Sequence, residues 1–238
     1  MKIFSYIGSR NADSRTFKYT EKILQDVSSE SPKTEIEIQS PLTMPLMHSV
    51  NCKTCFNEGY CPLEKKFESE DFAKEVKDKL NSADIIFISS PVHSHNVSSD
   101  IKILVDRLSY WLHIFKLAGK KIFLLITAES NGANFVESYL FKVFNMMGGD
   151  VRHTVSFLNS DRDIAPELMS ETSTKILETI NNNYDIRFDE TQEIYFKKLK
   201  LIMRSSESNV FEYNYWKEKR MLEYSTLQKW YDNERENQ

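Results

Sequence analysis

Five short runs of apolar, β-branched and aromatic residues punctuate the first two-thirds of the chain: Lys2–Ile7 (KIFSYI), 34–38 (TEIEI), 84–89 (DIIFIS), 121–127 (KIFLLIT) and 151–157 (VRHTVSF). The third and fourth are continuous apolar runs, the pattern of central strands covered on both faces; the second alternates, as an edge strand does. Helical stripes lie between them. Ile101, Leu104, Val105, Leu108, Leu112 and Phe115 form one amphipathic stripe. Val136, Leu140, Val143, Phe144 and Met147 form another, stopped by Gly148-Gly149. Phe17, Thr20, Leu24 and Val27 mark a helix starting near Ser14, and Ser69 precedes the stripe Phe72, Val76, Leu80.

Strands alternating with helices predict an α/β fold with a mainly parallel sheet and right-handed crossovers, helices covering both faces. Five strands at this spacing fit the flavodoxin-like order 2-1-3-4-5, whose ligand cleft lies beyond the carboxyl ends of strands 1 and 3. The expected organisation is a flavodoxin-like unit over 1–160. A helical extension over 161–238 packs on it or on a partner subunit. In that extension 166–180, 191–204 and 212–231 read as helices, the last two joined by the polar stretch 205–209.

Composition narrows the function. At 238 residues, 40% hydrophobic and 28% charged, the chain can bury a core. Its net charge of −4 gives no basic excess to hold nucleic acid or anionic lipid. No apolar run approaches the roughly 20 residues of a membrane helix, and the first strand is too short for a signal-peptide core. Three cysteines, all within 52–61, make an odd and clustered set, so a disulfide framework is not expected and a reducing cytoplasm is.

Three loops then draw the chemistry. The first, Gly8-Ser9-Arg10-Asn11-Ala12-Asp13-Ser14-Arg15-Thr16, joins a strand to a helix. Its hydroxyls at Ser9, Ser14 and Thr16, the free N–H groups of a helix start, and Arg10 and Arg15 would surround an anion; an ordinary Ser14 or Asp13 cap explains the same residues. It is neither a P-loop nor a G-x-G-x-x-G turn. The second loop, Pro91-Val92-His93-Ser94-His95-Asn96, follows strand 3. Pro91 would turn the chain and leave the following N–H groups open to a planar heterocycle. His93 and His95 lack a third ligand of obvious spacing, so no metal is assigned to them. The third loop, Ala128-Glu129-Ser130-Asn131-Gly132, is small and polar enough for a ligand to approach the backbone. Asp106-Arg107 reads as a solvated structural pair, and the aromatics Phe211 to Tyr231 either pack on their own domain or form a lid or subunit contact.

Together and in this order the loops resemble those of the NAD(P)H-dependent FMN reductases. The resemblance rests on Gly8-Ser9 with Ser14 and Thr16, on Ser90 to Lys102 with Asp106-Arg107, and on Thr127 to Gly132. It implies non-covalent FMN, its phosphate on Ser9, Arg10, Ser14, Arg15 and Thr16. The ring would lie against Pro91, Val92, His93, Ser94 and Asn96 on its N5 and O4 side, and against Ala128, Glu129, Ser130 and Asn131 on its N1 and O2 side. NAD(P)H is then the hydride donor, and a quinone, a free flavin or a protein the electron acceptor. No catalytic side chain is implied, and a homodimer or higher homo-oligomer completes the pocket. His93 stands where an aromatic Tyr is common in that family. A flavodoxin-like electron carrier without nicotinamide activity, or a non-catalytic partner-binding flavoprotein, are the competing readings.

Asn51-Cys52-Lys53-Thr54-Cys55 through Cys61-Pro62 resembles the cysteine loop of the iron–sulfur flavoprotein branch. That branch uses four cysteines; C-x2-C-x5-C here lacks the fourth, so a cluster would need His48 or Glu58, and unligated thiols are the preferred reading.

Overall fold

The structure is a computed structural model describing residues 1–182, 185–205 and 210–236. The elements run β1 (Lys2–Ile7), α1 (Arg15–Glu30), β2 (Glu35–Gln39), α2 (Thr54–Glu58), α3 (Pro62–Lys66), α4 (Ala73–Ser82), β3 (Ile85–Pro91), α5 (Ser99–Arg107) and α6 (Trp111–Ile114). They continue as β4 (Lys121–Ala128), α7 (Ala133–Met146), β5 (Asp150–Leu158), α8 (Ala165–Asn181), α9 (Glu190–Ser205), α10 (Phe211–Glu218) and α11 (Leu227–Glu236). The sheet is parallel throughout, in the expected order β2-β1-β3-β4-β5.

Strand alternation divides the core. Ile3, Ile85, Phe87, Phe123, Leu125 and Phe157 face Ile23, Leu24 and Val27 of α1 and Ile176 of α8. Phe4, Tyr6, Ile86, Ile88, Ile122 and Leu124 face α4, α5 and α7, with Phe196 of α9 and Trp216 of α10 joining the same cluster. Thus α8, tied to α1 by the Ser173 hydroxyl on the Ile23 carbonyl at 3.3 Å, serves as a layer of the sheet. Helices α9 to α11 are the addition, and they pack on their own domain.

Three local expectations change, and a fourth falls mostly outside the described residues. The stripe from Ile101 to Phe115 is not one helix: α5 stops at Arg107, and tight i→i+3 bonds such as Trp111 N–H to Leu108 O (2.8 Å) lead to α6, closed by Phe115 at φ 48°. Apolar spacing survives such a tightened turn, so periodicity does not register the break. The start of α4 is held by Asp71 rather than Ser69, because the Asp71 Oδ1 accepts from Ala73 and Met47 N–H groups. The helix expected over 212–231 is broken at Arg220 (φ 54°), which lets both Trp216 and Trp230 turn into the core and donate to the His113 and Lys219 carbonyls. The expected linker 205–209 lies outside the described residues except Ser205, which ends α9. Among the described residues no helix is long and apolar enough to cross a membrane.

Candidate functional site

The carboxyl ends of β1, β3 and β4 bring the three loops together. Gly8 N–H donates to Ser89 O at 2.7 Å, and a Cβ on Gly8 would lie 2.1 Å from Ile101 Cγ1 and 2.7 Å from Ser98 Oγ, so α5 rests directly on the first loop. Arg15 spans from the first loop to the third, donating to Ala128 O (3.0 Å) and Glu129 Oε1 (2.7 Å). The second and third loops touch at Gly132, where a Cβ would meet Val92 Cγ1 at 3.1 Å and His95 Cα at 3.2 Å. Gly132 has φ 84°, which a residue with a side chain adopts only with strain.

In the first loop Ser14 is the N-cap of α1, its Oγ accepting from Phe17 N–H at 3.3 Å and lying 3.2 Å from Ser9 Oγ. No acidic residue occupies the first turn of α1, and the N–H groups of Arg15 and Thr16 have no partner among the described residues, leaving the positive end of a 16-residue helix open. Arg15 Nη1 is buried and without a hydrogen-bond partner. These features fit a phosphate. The Thr16 hydroxyl does not join them: it is buried against Thr127 Oγ1 at 2.7 Å and pins α1 to β4, so Thr16 offers only its N–H. Arg10 is held by Asp100, Nε and Nη2 reaching its carboxylate at 2.9 to 3.2 Å. Sequence reasoning missed Asp100 as a site residue because an acid just after the Ser98 cap looks like ordinary helix-start chemistry. Tyr6 lies below this pair, its phenol pKa raised by burial first and then by Asp100, and its hydroxyl donates to Met44 O.

The second loop is more ordered than the sequence suggested. Pro91 is still a strand residue, paired with Thr127 in β4. Val92 N–H donates to Thr127 O, and His93 and Asn96 exchange backbone bonds at 2.9 and 3.0 Å. The expectation of open N–H groups from Val92 to Asn96 is therefore corrected: Val92, His93 and Asn96 are engaged, and those of Ser94 and His95 alone lack a partner among the described residues. Ser94 (φ 49°) and His95 (φ 62°) are the central pair of a two-residue turn with both φ positive, a geometry that usually takes Asn or Gly. Such strain in non-glycine residues concentrates at ligand-binding turns. The His95 ring lies 5.6 Å from Phe135, an exposed aromatic on the first turn of α7 that sequence reasoning did not single out. In the third loop Glu129, Ser130 and Asn131 are exposed, as are Ser94, His95 and Asn96, so the tips present an open face.

The cysteines lie elsewhere, around a small cavity of about 60 Å³ with Phe56, Leu63 and Arg107. Thr54 Oγ1 donates to Cys52 Sγ at 3.3 Å and lowers that thiol's pKa, while burial raises that of Cys55. The chain has three cysteines where a cubane takes four thiolates; His48 and Glu58 are exposed. Among the described residues no group of three or more His, Cys, Asp or Glu side chains stands in metal-holding geometry. These residues do not fit a four-thiolate cluster. Arg107 proves to be no solvated partner of Asp106, which pairs with Lys102 instead. It is buried and donates to Asp71 Oδ2 (2.7 Å), Met47 O (2.9 Å) and Glu64 Oε1 (3.3 Å). Lys77 completes this quartet on Glu64 at 2.6 Å. The aromatic tail packs by α6 and the amino-terminal edge of the sheet, away from the three loops.

An iron–sulfur flavoprotein of Archaeoglobus fulgidus is 24% identical over 225 residues, covering 92% of this chain and 99% of the relative. One of Methanocaldococcus jannaschii is 30% identical over 107 residues, covering 45% of this chain and 51% of that protein. The FMN-dependent NADH-azoreductase of Bacillus anthracis, solved in complex with FMN, shares the fold with a TM-score of 0.55 at 14% identity, over 76% of this chain and 98% of that one. Residues 1–161 match the family described as NADPH-dependent FMN reductase, and with a matching sheet, loop placement and anion-ready helix start the chain belongs to that family of oxidoreductases.

Proposed function

We propose that the chain is an FMN-dependent oxidoreductase that takes reducing equivalents from NAD(P)H and passes them to a quinone, a flavin or a protein acceptor. The observation that carries this reading is the buried, unpartnered Arg15 Nη1 beside the open N–H groups of α1, at the point where three loops converge. FMN, when bound, supplies the two-electron chemistry. The chain's part is binding and orientation. Ser9, Ser14, Arg15 and the helix start hold the phosphate; Arg10, its charge balanced by Asp100, stands at the rim. Ser94 and His95 N–H groups are the donors left for the ring in the second loop, and the strained turn fixes their direction. Gly132 keeps the third loop in contact with the second, so the Ser130 and Asn131 backbone lies within the same cleft. No side chain is required as a general acid or base. The exposed loop tips and Phe135, 56% exposed, support a second copy of the chain as the wall that closes the cleft.

Anaerobic mixing of the FMN-loaded protein with NADPH and with NADH tests this. We expect loss of the blue flavin absorbance within seconds with at least one of them, and its return on adding a quinone. A flavin that keeps its colour with both donors would instead make the chain an electron carrier.

A further inference from the structure

A second cavity, of about 620 Å³, lies at the opposite end of the sheet from the three loops. Its floor is the amino-terminal edge of β3 and β4, with Asp84, Lys120 and Lys121; its roof is the tail, with Lys219, Tyr231 and Arg235. It exists because α10 and α11 cross that edge, and Tyr231 lies against Gly119, where a Cβ would be 2.7 Å from the phenol oxygen. Five cations line it (Lys116, Lys120, Lys121, Lys219 and Arg235) against the carboxylates Asp84 and Glu234, in a chain whose net charge is −4. Glu234 is taken by Lys219 at 3.1 Å, and Asp84 accepts from Lys2 N–H at 2.7 Å. Arg235 reaches away to Asp185. Lys116 and Lys120 are half-buried, and among the described residues neither ammonium has an ion pair or hydrogen bond.

Partly buried ammonium groups without a direct ion-pair partner are costly, and proteins as a rule pair them. Burial lowers the pKa of both; on Lys116 repulsion from Lys219 adds to this and Asp78 opposes it, while on Lys120 attraction by Asp84 outweighs repulsion from Lys116. The lining of this cavity thus holds five cations against two carboxylates, an imbalance that a bound anion relieves. The volume far exceeds an inorganic ion, and aromatic Tyr215 and Tyr231 stand in the wall.

We infer that this cavity binds an organic phosphate of mononucleotide size, its anionic oxygens on Lys116 and Lys120 and its planar portion against Tyr231. The site is separate from the flavin cleft and does not depend on the assignment made there.

The test is calorimetric titration of protein already saturated with FMN, so that the first loop is occupied, using ADP and pyrophosphate as probes. ADP is expected to bind saturably, one per chain, and more tightly than pyrophosphate because only ADP meets the aromatic wall. Lys116→Gln with Lys120→Gln should weaken ADP at least about tenfold, the loss of one charge-assisted contact or more. The double arginine variant, which keeps both charges, should bind within a few-fold of the parent. A thermal melt guards against misfolding: ADP should raise the melting temperature of the parent and leave that of the glutamine variant unmoved. No saturable ADP heat up to about 1 mM, or equal binding by the glutamine variant, would overturn the inference. Pyrophosphate binding as tightly as ADP would overturn the aromatic part and with it the assigned ligand class.

Discussion

Replacing Arg107 with methionine is expected to lower unfolding free energy by about 3–5 kcal/mol, the usual consequence of stripping one partner from a buried ion pair. Among the described residues the guanidinium is the only cation on Asp71 Oδ2, and both side chains are essentially inaccessible, at 2% and 0%. Methionine fills much of the volume but leaves that carboxylate oxygen without a donor. Asp71 would keep only the Met47 and Ala73 N–H groups on its other oxygen. The same arginine holds the Met47 carbonyl and Glu64, so the segment between β2 and α4, cysteines included, loses its anchor to α5. Denaturant unfolding of the single variants and of Arg107→Met with Asp71→Asn checks this. The double variant should recover part of the loss, because neutralising both partners removes the uncompensated charge. A single variant within 1 kcal/mol of the parent would show that the quartet carries no such weight.

The second large effect belongs to Gly8. Gly8→Val should weaken FMN binding by more than tenfold while leaving a folded protein. Its Cβ would stand 2.1 Å from Ile101 Cγ1, an atom of a side chain with no exposed surface, and 2.7 Å from the Ser98 hydroxyl that caps α5. Relief comes by moving the first loop or the amino end of α5, at an overpacking cost of about 1–3 kcal/mol. Either motion separates Arg10 from Asp100 and shifts Ser9 relative to Ser14. Loss of a single charge-assisted bond to the phosphate is worth about 1.5–3 kcal/mol, hence the tenfold or greater effect. Adding Ile101→Ala opens the space and should restore part of the affinity. Flavin fluorescence titration distinguishes these results; unchanged affinity in Gly8→Val would mean that the first loop does not hold the phosphate.

Much of this was legible in the residues. Continuous apolar runs at 84–89 and 121–127 place β3 and β4 at the centre, and alternation in 34–38 places β2 at the edge, because burial on one or two faces dictates the pattern. Ser14 as cap and the convergence of three loops follow from strand order and turn chemistry. What stayed hidden depends on contacts distant in sequence. Arg107 looks like one of a surface pair until the fold brings Asp71 and Glu64 to it. Thr16 looks like a phosphate hydroxyl until Thr127 is seen to occupy it. The second loop looks open until β4 supplies the Thr127 carbonyl to Val92. The cavity under the tail was invisible for the same reason, since its lysines at 116 to 121 and its roof past residue 215 are joined only by tertiary packing.

The claim that the first loop, α1 and Arg15 form a phosphate seat is tested most directly by titrating flavin-free protein with FMN and with riboflavin, which differ by the phosphate alone. The structure leads us to expect one FMN per chain, bound at least tenfold more tightly than riboflavin, with the difference reduced in Arg15→Ala. Equal affinity for the two flavins, or no binding of FMN, would contradict it.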